Sequence, residues 1–119
     1  MNIAYAAGFL DGEGYIGIYK TLVHVEIDQC REEVITKLHD SFGGNKYLVK
    51  RSHRNPKWSD IHRWRIYGEK AIEFLETCLP YLIVKRKEAE FAIKFWGTDD
   101  RLQKRDEYRL ELMSLRKTV

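Results

Sequence analysis

The sequence predicts an α+β fold in which a four-stranded antiparallel sheet carries its helices on one face and leaves the other face open to a ligand. Two observations support this. Segments that alternate apolar and polar residues come in two adjacent pairs, and a stretch with helical periodicity precedes each pair, so the order reads αββαββα with trailing helices. A helix–hairpin unit that occurs twice is most simply joined into one sheet, its helices packed together on the apolar side. The length agrees: 119 residues make one ordinary domain, with no linker or second unit in view. A chain of that size buries roughly two-thirds of the surface its unfolded form exposes.

The elements follow in order. Ile3 to Asp11 is alanine-rich with Gly8 its only breaker, and reads as a short helix stopped at Gly12-Glu13-Gly14, where glycine can take a positive φ. Tyr15 to Thr21 places Ile16 and Ile18 on one side against Tyr15, Gly17 and Tyr19, which predicts a strand. Val23, Val25 and Ile27 alternate with His24, Glu26 and Asp28 in a second strand, completing a hairpin. From Arg31 to Phe42 the stripe Val34, Ile35, Leu38 and Phe42 predicts a helix, closed by Gly43-Gly44-Asn45. Lys46 to Arg51 and Ile61 to Tyr67 form the second hairpin, with Ser52 to Asp60 as its polar tip. Gly68 opens a helix through Ile72, Leu75 and Leu79 that Pro80 ends. Val84 to Trp96 is another helix, broken by Gly97, and Asp99 to Lys117 is a charged last one.

Composition narrows the function. The chain is 44% hydrophobic and 33% charged, which argues against disorder. No apolar run approaches twenty residues and no basic-then-apolar leader is present, so neither a membrane span nor a secretory signal is expected. Cys30 and Cys78 lie far apart without a CxxC spacing, which points away from a disulfide scaffold or structural zinc and toward a reduced, cytoplasmic setting, or an organellar or phage-encoded one. His24, His39, His53 and His62 show no ligand spacing. The net charge of +3 is uninformative until it is placed. Between Lys46 and Arg65 seven basic residues face only Asp60, interleaved with Tyr47, Trp58 and Trp64, and the rest of the chain is net acidic.

The most informative stretch is Ala6-Ala7-Gly8-Phe9-Leu10-Asp11-Gly12-Glu13-Gly14. Ala4 and Gly8, four apart, let another helix approach closely. Asp11 and Glu13 sit at the carboxyl end of a helix, where the macrodipole disfavours negative charge. A bound divalent cation would compensate, since hard cations take carboxylate and backbone carbonyl oxygens.

This stretch resembles the motif of the LAGLIDADG homing endonucleases without a gap, with Ala6 at the usual leading leucine and Glu13 at the second aspartate. The αββαββα order is similar to that family, and Leu79 to Lys87 resembles its late helix-to-helix segment, so the likeness runs from about Ile3 to Trp96. The resemblance implies a site-specific double-strand DNA endonuclease that uses Mg²⁺ or another divalent cation such as Mn²⁺, with no organic cofactor. It implies Glu13 as the catalytic, metal-binding carboxylate, the Gly12 carbonyl beside it, Lys85 as the active-site lysine and Gln29 as the polar residue ending the second strand. Asp11 reads as structural. One motif per chain implies a homodimer joined through the helix that carries Ala4, Ala7 and Gly8, and a near-palindromic target. A non-catalytic DNA-binding regulator or RNA-splicing maturase would share the same fold without needing Glu13. A protein-interaction module built on the last helix would leave the two acids unexplained.

The second hairpin supplies the DNA contacts in this reading. Arg63, Arg65 and Tyr67 share one side of their strand, and Lys46 and Lys50 share one side of the strand before it. A basic ribbon can enter the major groove, where arginine pairs bidentately with guanine. Arg51, Arg54 and Lys57, around the tip, are placed for phosphates.

Overall fold

The computed structural model describes residues 1–51, 54–57 and 59–117; His53 and Trp58 lie outside the described residues. The order is α1 (Ile3–Glu13), β1 (Gly14–Tyr19), β2 (Leu22–Gln29), α2 (Glu32–Phe42), β3 (Asn45–Val49), β4 (Ile61–Tyr67), α3 (Gly68–Cys78), a 3₁₀ turn (Leu79–Tyr81), α4 (Arg86–Trp96) and α5 (Arg101–Lys117). The strands form one antiparallel sheet in the order β1-β2-β4-β3, so the two hairpins meet through β2 and β4. No helix among the described residues is long and apolar enough to cross a membrane.

The inner face of the sheet carries Ile16, Ile18, Val23, Val25, Ile27, Trp64 and Ile66, all buried. Against it pack Leu10 of α1, Ile35 and Leu38 of α2, Leu75 of α3 and Phe95 of α4. Each such side chain contributes roughly 1.5–3 kcal/mol by leaving water. Trp64 is fully buried because its indole N–H donates to the Gly43 carbonyl at 2.7 Å. Gly44 beside it, at φ 86°, must be glycine: a Cβ there would lie 2.7 Å from the Arg65 carbonyl. Met1 and Ile3 close one margin of this core, and Leu112 of α5 another. Both cysteines are free, Cys30 exposed and Cys78 buried, and burial pushes the Cys78 thiol up to about 12.

Boundaries shift in places. The helix expected to stop at Asp11 runs on to Glu13, and Gly14 leaves it in extended backbone rather than at positive φ. The Leu10 carbonyl accepts from Gly14, so the last turn is closed without a left-handed residue. The first strand ends at Tyr19, because Lys20 and Thr21 form the hairpin turn with Lys20 at φ 55°. Pro80 sits inside the 3₁₀ turn that follows α3, and α4 begins at Arg86 rather than Val84.

Candidate active site and nucleic-acid face

Residues widely separated in sequence converge at the carboxyl end of α1. The last carbonyls of a helix have no intrahelical partner, and here the Lys85 ammonium donates to the Asp11 carbonyl at 2.7 Å. The Asp11 carboxylate turns to the segment before α4 and accepts backbone N–H groups from Ile83 (2.8 Å), Val84 (3.1 Å) and Lys85 (2.9 Å), 72 to 74 positions away. Burial pushes this carboxyl up. The three backbone donors and the Lys85 charge outweigh that and hold it below the usual aspartate value. Asp11, in the last turn of one helix, thus caps the segment that leads into another by taking its three amides. It has its compensation without a cation, which leaves Glu13 as the acid still in need of one.

Glu13 is exposed at the very end of α1, and the Gln29 side-chain amide donates to its carboxylate. The pair arises because Gln29 ends β2, next to the strand that α1 leads into. The structure therefore brings Glu13, Gly12, Gln29 and Lys85 to one helix end. The exposed face of α1 leading to it is lined by Ala4, Tyr5, Gly8, Phe9, Gly12 and Glu13. A Cβ at Gly8 or Gly12 would meet nothing within 4 Å, so no contact inside the chain demands glycine at either position. Ala7 corrects the expectation for this face. It is fully buried in the protein's own core, on the inward stripe it shares with Ala6 and Leu10.

The open face of the sheet differs from the basic surface expected. Arg63 makes a bidentate pair with Asp28 at 2.7 and 2.9 Å and also contacts the Glu26 carboxylate. Arg65 donates to Glu26 at 3.0 Å and to the Tyr67 hydroxyl at 3.0 Å. The register opposes Glu26 to Arg65 and Asp28 to Arg63, so β2 supplies two acids to the two arginines of β4. The hydrogen bond to Asp28 raises the Arg63 pKa further, against the effect of burial. Lys46 is corrected outright: β3 puts it opposite Trp64 on the helix side, where its ammonium donates to Thr36 at 3.2 Å. Tyr47, opposite Arg63, takes its place on the open face.

Lys50 lies exposed just past β3. Arg51 donates to the Ser59 carbonyl at 2.9 Å, and its backbone N–H donates to Asp60 at 2.8 Å. Arg54 and Lys57 are exposed beyond them. Exposed cationic side chains therefore gather toward the tip, while the middle of the sheet is a charge-balanced network. The other end of that face holds His24, stacked on Tyr15 (centroids 5.6 Å apart) and tilted against Tyr67 (6.0 Å) over Gly17. Burial, with Arg65 and Arg116 nearby, lowers His24 to about 4. Its buried Nδ1 has no hydrogen-bond partner.

Arg116 is a residue the sequence left unmarked. From the end of α5 it donates to the Ile16 carbonyl of β1, lies 4.3 Å from the Tyr15 ring centroid and approaches Glu88 at 3.8 Å. Only the way α5 doubles back along α4 brings it there. The network of Glu26, Asp28, Arg63 and Arg65, by contrast, follows from alternation once β2 and β4 are known to be neighbours.

No family model matches the sequence, and neither does any curated protein. Solved structures do match. An archaeal intron-encoded homing endonuclease complexed with DNA, I-Vdi141I, superposes with a TM-score of 0.73 at 17% identity over 95% of this chain and 82% of that one. The homing endonuclease I-CvuI, in complex with the I-CreI target in 2 mM Mg and with its DNA not cleaved, gives 0.63 at 20% identity over 98% and 78%. The LAGLIDADG meganuclease I-AabMI bound to uncleaved DNA gives 0.63 at 17% identity, over 97% of this chain but 43% of that longer one. The αββαββα frame, with its single open antiparallel sheet, is the fold of the LAGLIDADG homing endonucleases.

Proposed function

We propose that this chain is a site-specific double-strand DNA endonuclease of the LAGLIDADG type, acting as a homodimer with Mg²⁺ or Mn²⁺. The observation that carries the reading is the end of α1, where an exposed Glu13 bonded to Gln29 stands on the same helix end as the lysine that Asp11 fixes in place. The solved structures sharing this frame hold DNA, and the open sheet face beside Glu13 is where a duplex would lie.

The donor set suits a hard divalent cation, being a carboxylate and a helix-end carbonyl, Glu13 and Gly12. Glu26 and Asp28 line a pocket with Glu13 but are paired with Arg63 and Arg65, and no group of three His, Cys, Asp or Glu able to hold a metal occurs among the described residues. A second copy supplies the second Glu13. It can approach because Ala4, Gly8 and Gly12 leave the face of α1 without bulk, with Tyr5 and Phe9 available to pack alongside. Two glycines in a helix cost about 1 kcal/mol each relative to alanine, a cost that nothing inside the protomer explains.

When bound, the cation would lower the pKa of an attacking water and stabilise charge on the leaving oxygen. Gln29 orients the Glu13 carboxylate. Lys85, anchored through both its backbone N–H and its ammonium, offsets negative charge at the phosphate. Lys50, Arg51, Arg54 and Lys57 take phosphates, and Arg63 and Arg65 present pre-aligned donors to base edges.

A duplex library or plasmid incubated with the protein and Mg²⁺ is expected to be cut on both strands, and EDTA to abolish cutting. Glu13→Gln keeps size and hydrogen bonding, so this variant is expected to bind duplex DNA as well as the parent does yet leave it intact. Absence of metal-dependent cleavage by the parent on any duplex, with Glu13→Gln indistinguishable from it, sinks the nuclease reading in favour of a DNA-binding regulator.

A further inference from the structure

Lys85 lies just before α4, and a flexible ammonium stem stays aimed only where its surroundings close around it. Asp11 makes one side of that enclosure. The other is a pocket of about 260 Å³ that Lys85 shares with Glu88, Arg116 and the start of β1 at Gly14 and Tyr15. Glu88, at 4% exposure, is the one charged residue buried among the described residues. It stands three positions after Lys85, on the same flank of the chain entering α4.

A carboxylate so placed needs charge near it to stay ionised. Burial pushes Glu88 up, and the charges of Arg116 and Lys85 draw it back. Among the described residues Arg116 is the one cation within ion-pair distance of Glu88, at 3.8 Å, and is itself held by the Ile16 carbonyl and the Tyr15 ring. Elsewhere α4 and α5 meet through the apolar contacts of Phe91, Phe95, Tyr108 and Leu112 and, at the start of α5, through Arg101, which donates to the Trp96 carbonyl and lies over its ring. The ion pair therefore sits where α5 reaches the Lys85 pocket, apart from the apolar packing that holds the helices together.

We propose that Glu88 and Arg116 are positioning residues for Lys85: the end of α5 closes the pocket, and the buried carboxylate fixes the ammonium on the side away from Asp11. This deepens the nuclease reading and rests on it for its catalytic consequence, while its structural content can be tested without DNA.

The experiment compares the parent with Glu88→Gln, Arg116→Met and Arg116→Lys, each well below its thermal midpoint. Acetylation of Lys85 by an N-hydroxysuccinimide ester, followed by mass spectrometry with exposed Lys104 as internal reference, reads the ammonium's surroundings directly. Lys85 labelling is expected to rise severalfold in Glu88→Gln and Arg116→Met, and to return toward the parent value in Arg116→Lys. Single-turnover cleavage with Mg²⁺ is expected to fall about tenfold in the first two, as for a misplaced catalytic group, with duplex affinity unchanged. Unaltered Lys85 labelling in folded variants overturns the proposal, as does a loss of affinity equal to the loss of rate. Should Arg116→Met fail to fold, Glu88→Gln and Arg116→Lys decide the matter alone. Altered labelling in a protein whose parent never cuts DNA overturns the nuclease reading and leaves the positioning pair standing.

Discussion

Asp11 and Glu13 are two residues apart and the same in kind, yet the structure gives them different work. Asp11→Ala leaves the N–H groups of Ile83, Val84 and Lys85 without their acceptor, so a loss of about 1–3 kcal/mol is expected in urea unfolding. An unchanged midpoint would mean that the cap is ornamental. Because the folded Asp11 pKa lies below its ordinary value of 3.8, its stabilisation is present above that value and lost as pH falls through the lower one. His24 acts at milder pH. It is lowered from 6.5 to about 4, first by burial and then by Arg65 and Arg116, so the unfolded chain takes up a proton there before the folded one does. Its contribution is complete above about 6.5 and is lost progressively toward about 4. Unfolding at pH 7 and pH 5 should therefore show a larger drop for the parent than for His24→Gln, and equal drops would refute the assignment. The place of Glu13 at the end of the first helix was legible in the sequence. The capping role of Asp11 was not, because its partners lie 72 to 74 positions away and backbone amides leave no mark in a sequence.

The elements were legible where periodicity is strong and less so where an end depends on a contact. The two hairpins and the helices α1 to α4 stand about where alternation and apolar stripes put them. The end of α1 moved by two residues because packing of Gly14 onto Leu10, rather than a left-handed glycine, ends the helix. Face assignments within β3 could not be matched to those of β4 from pattern alone, since a register step of one residue reverses every side chain. Lys46 went to the wrong surface for that reason. The first helix yields a sharp prediction. A Cβ at Gly8 meets no atom of its own chain within 4 Å and valine is a better helix former than glycine, so the Gly8→Val protomer should fold at least as stably as the parent. Sedimentation should nonetheless show separated protomers where the parent sediments as a pair. A Gly8→Val protein that stays dimeric, or a parent that is monomeric while cutting both strands, would refute assembly through this face.

At the scale of the whole molecule, charge counted along the chain misled where charge counted in space does not. The excess between Lys46 and Arg65 is real in the sequence, but Glu26 and Asp28 offset two of its arginines and Lys46 faces the helices. Affinity for duplex DNA should still fall linearly with log salt. Arg54→Ala and Lys57→Ala should each reduce the slope by about one unit. Arg63→Ala should barely change that slope, because Arg63 is held by Asp28 and Glu26 toward base edges and neutralises no phosphate, and should instead relax sequence preference at a cost of roughly 1–3 kcal/mol. Equal slope changes at all three positions would show that Arg63 gives up its carboxylates on binding.

The position of Arg116 on the Ile16 carbonyl bears on how copies of this chain can meet. A sheet can grow by adding a strand wherever an outermost strand offers free backbone groups. On β1 one such group is occupied from within the same chain. The opposite margin, β3, is only five residues long and carries the charged side chain of Lys46. With both rims blunted, growth of a continuous sheet between copies is disfavoured, which accords with the helix contact proposed above.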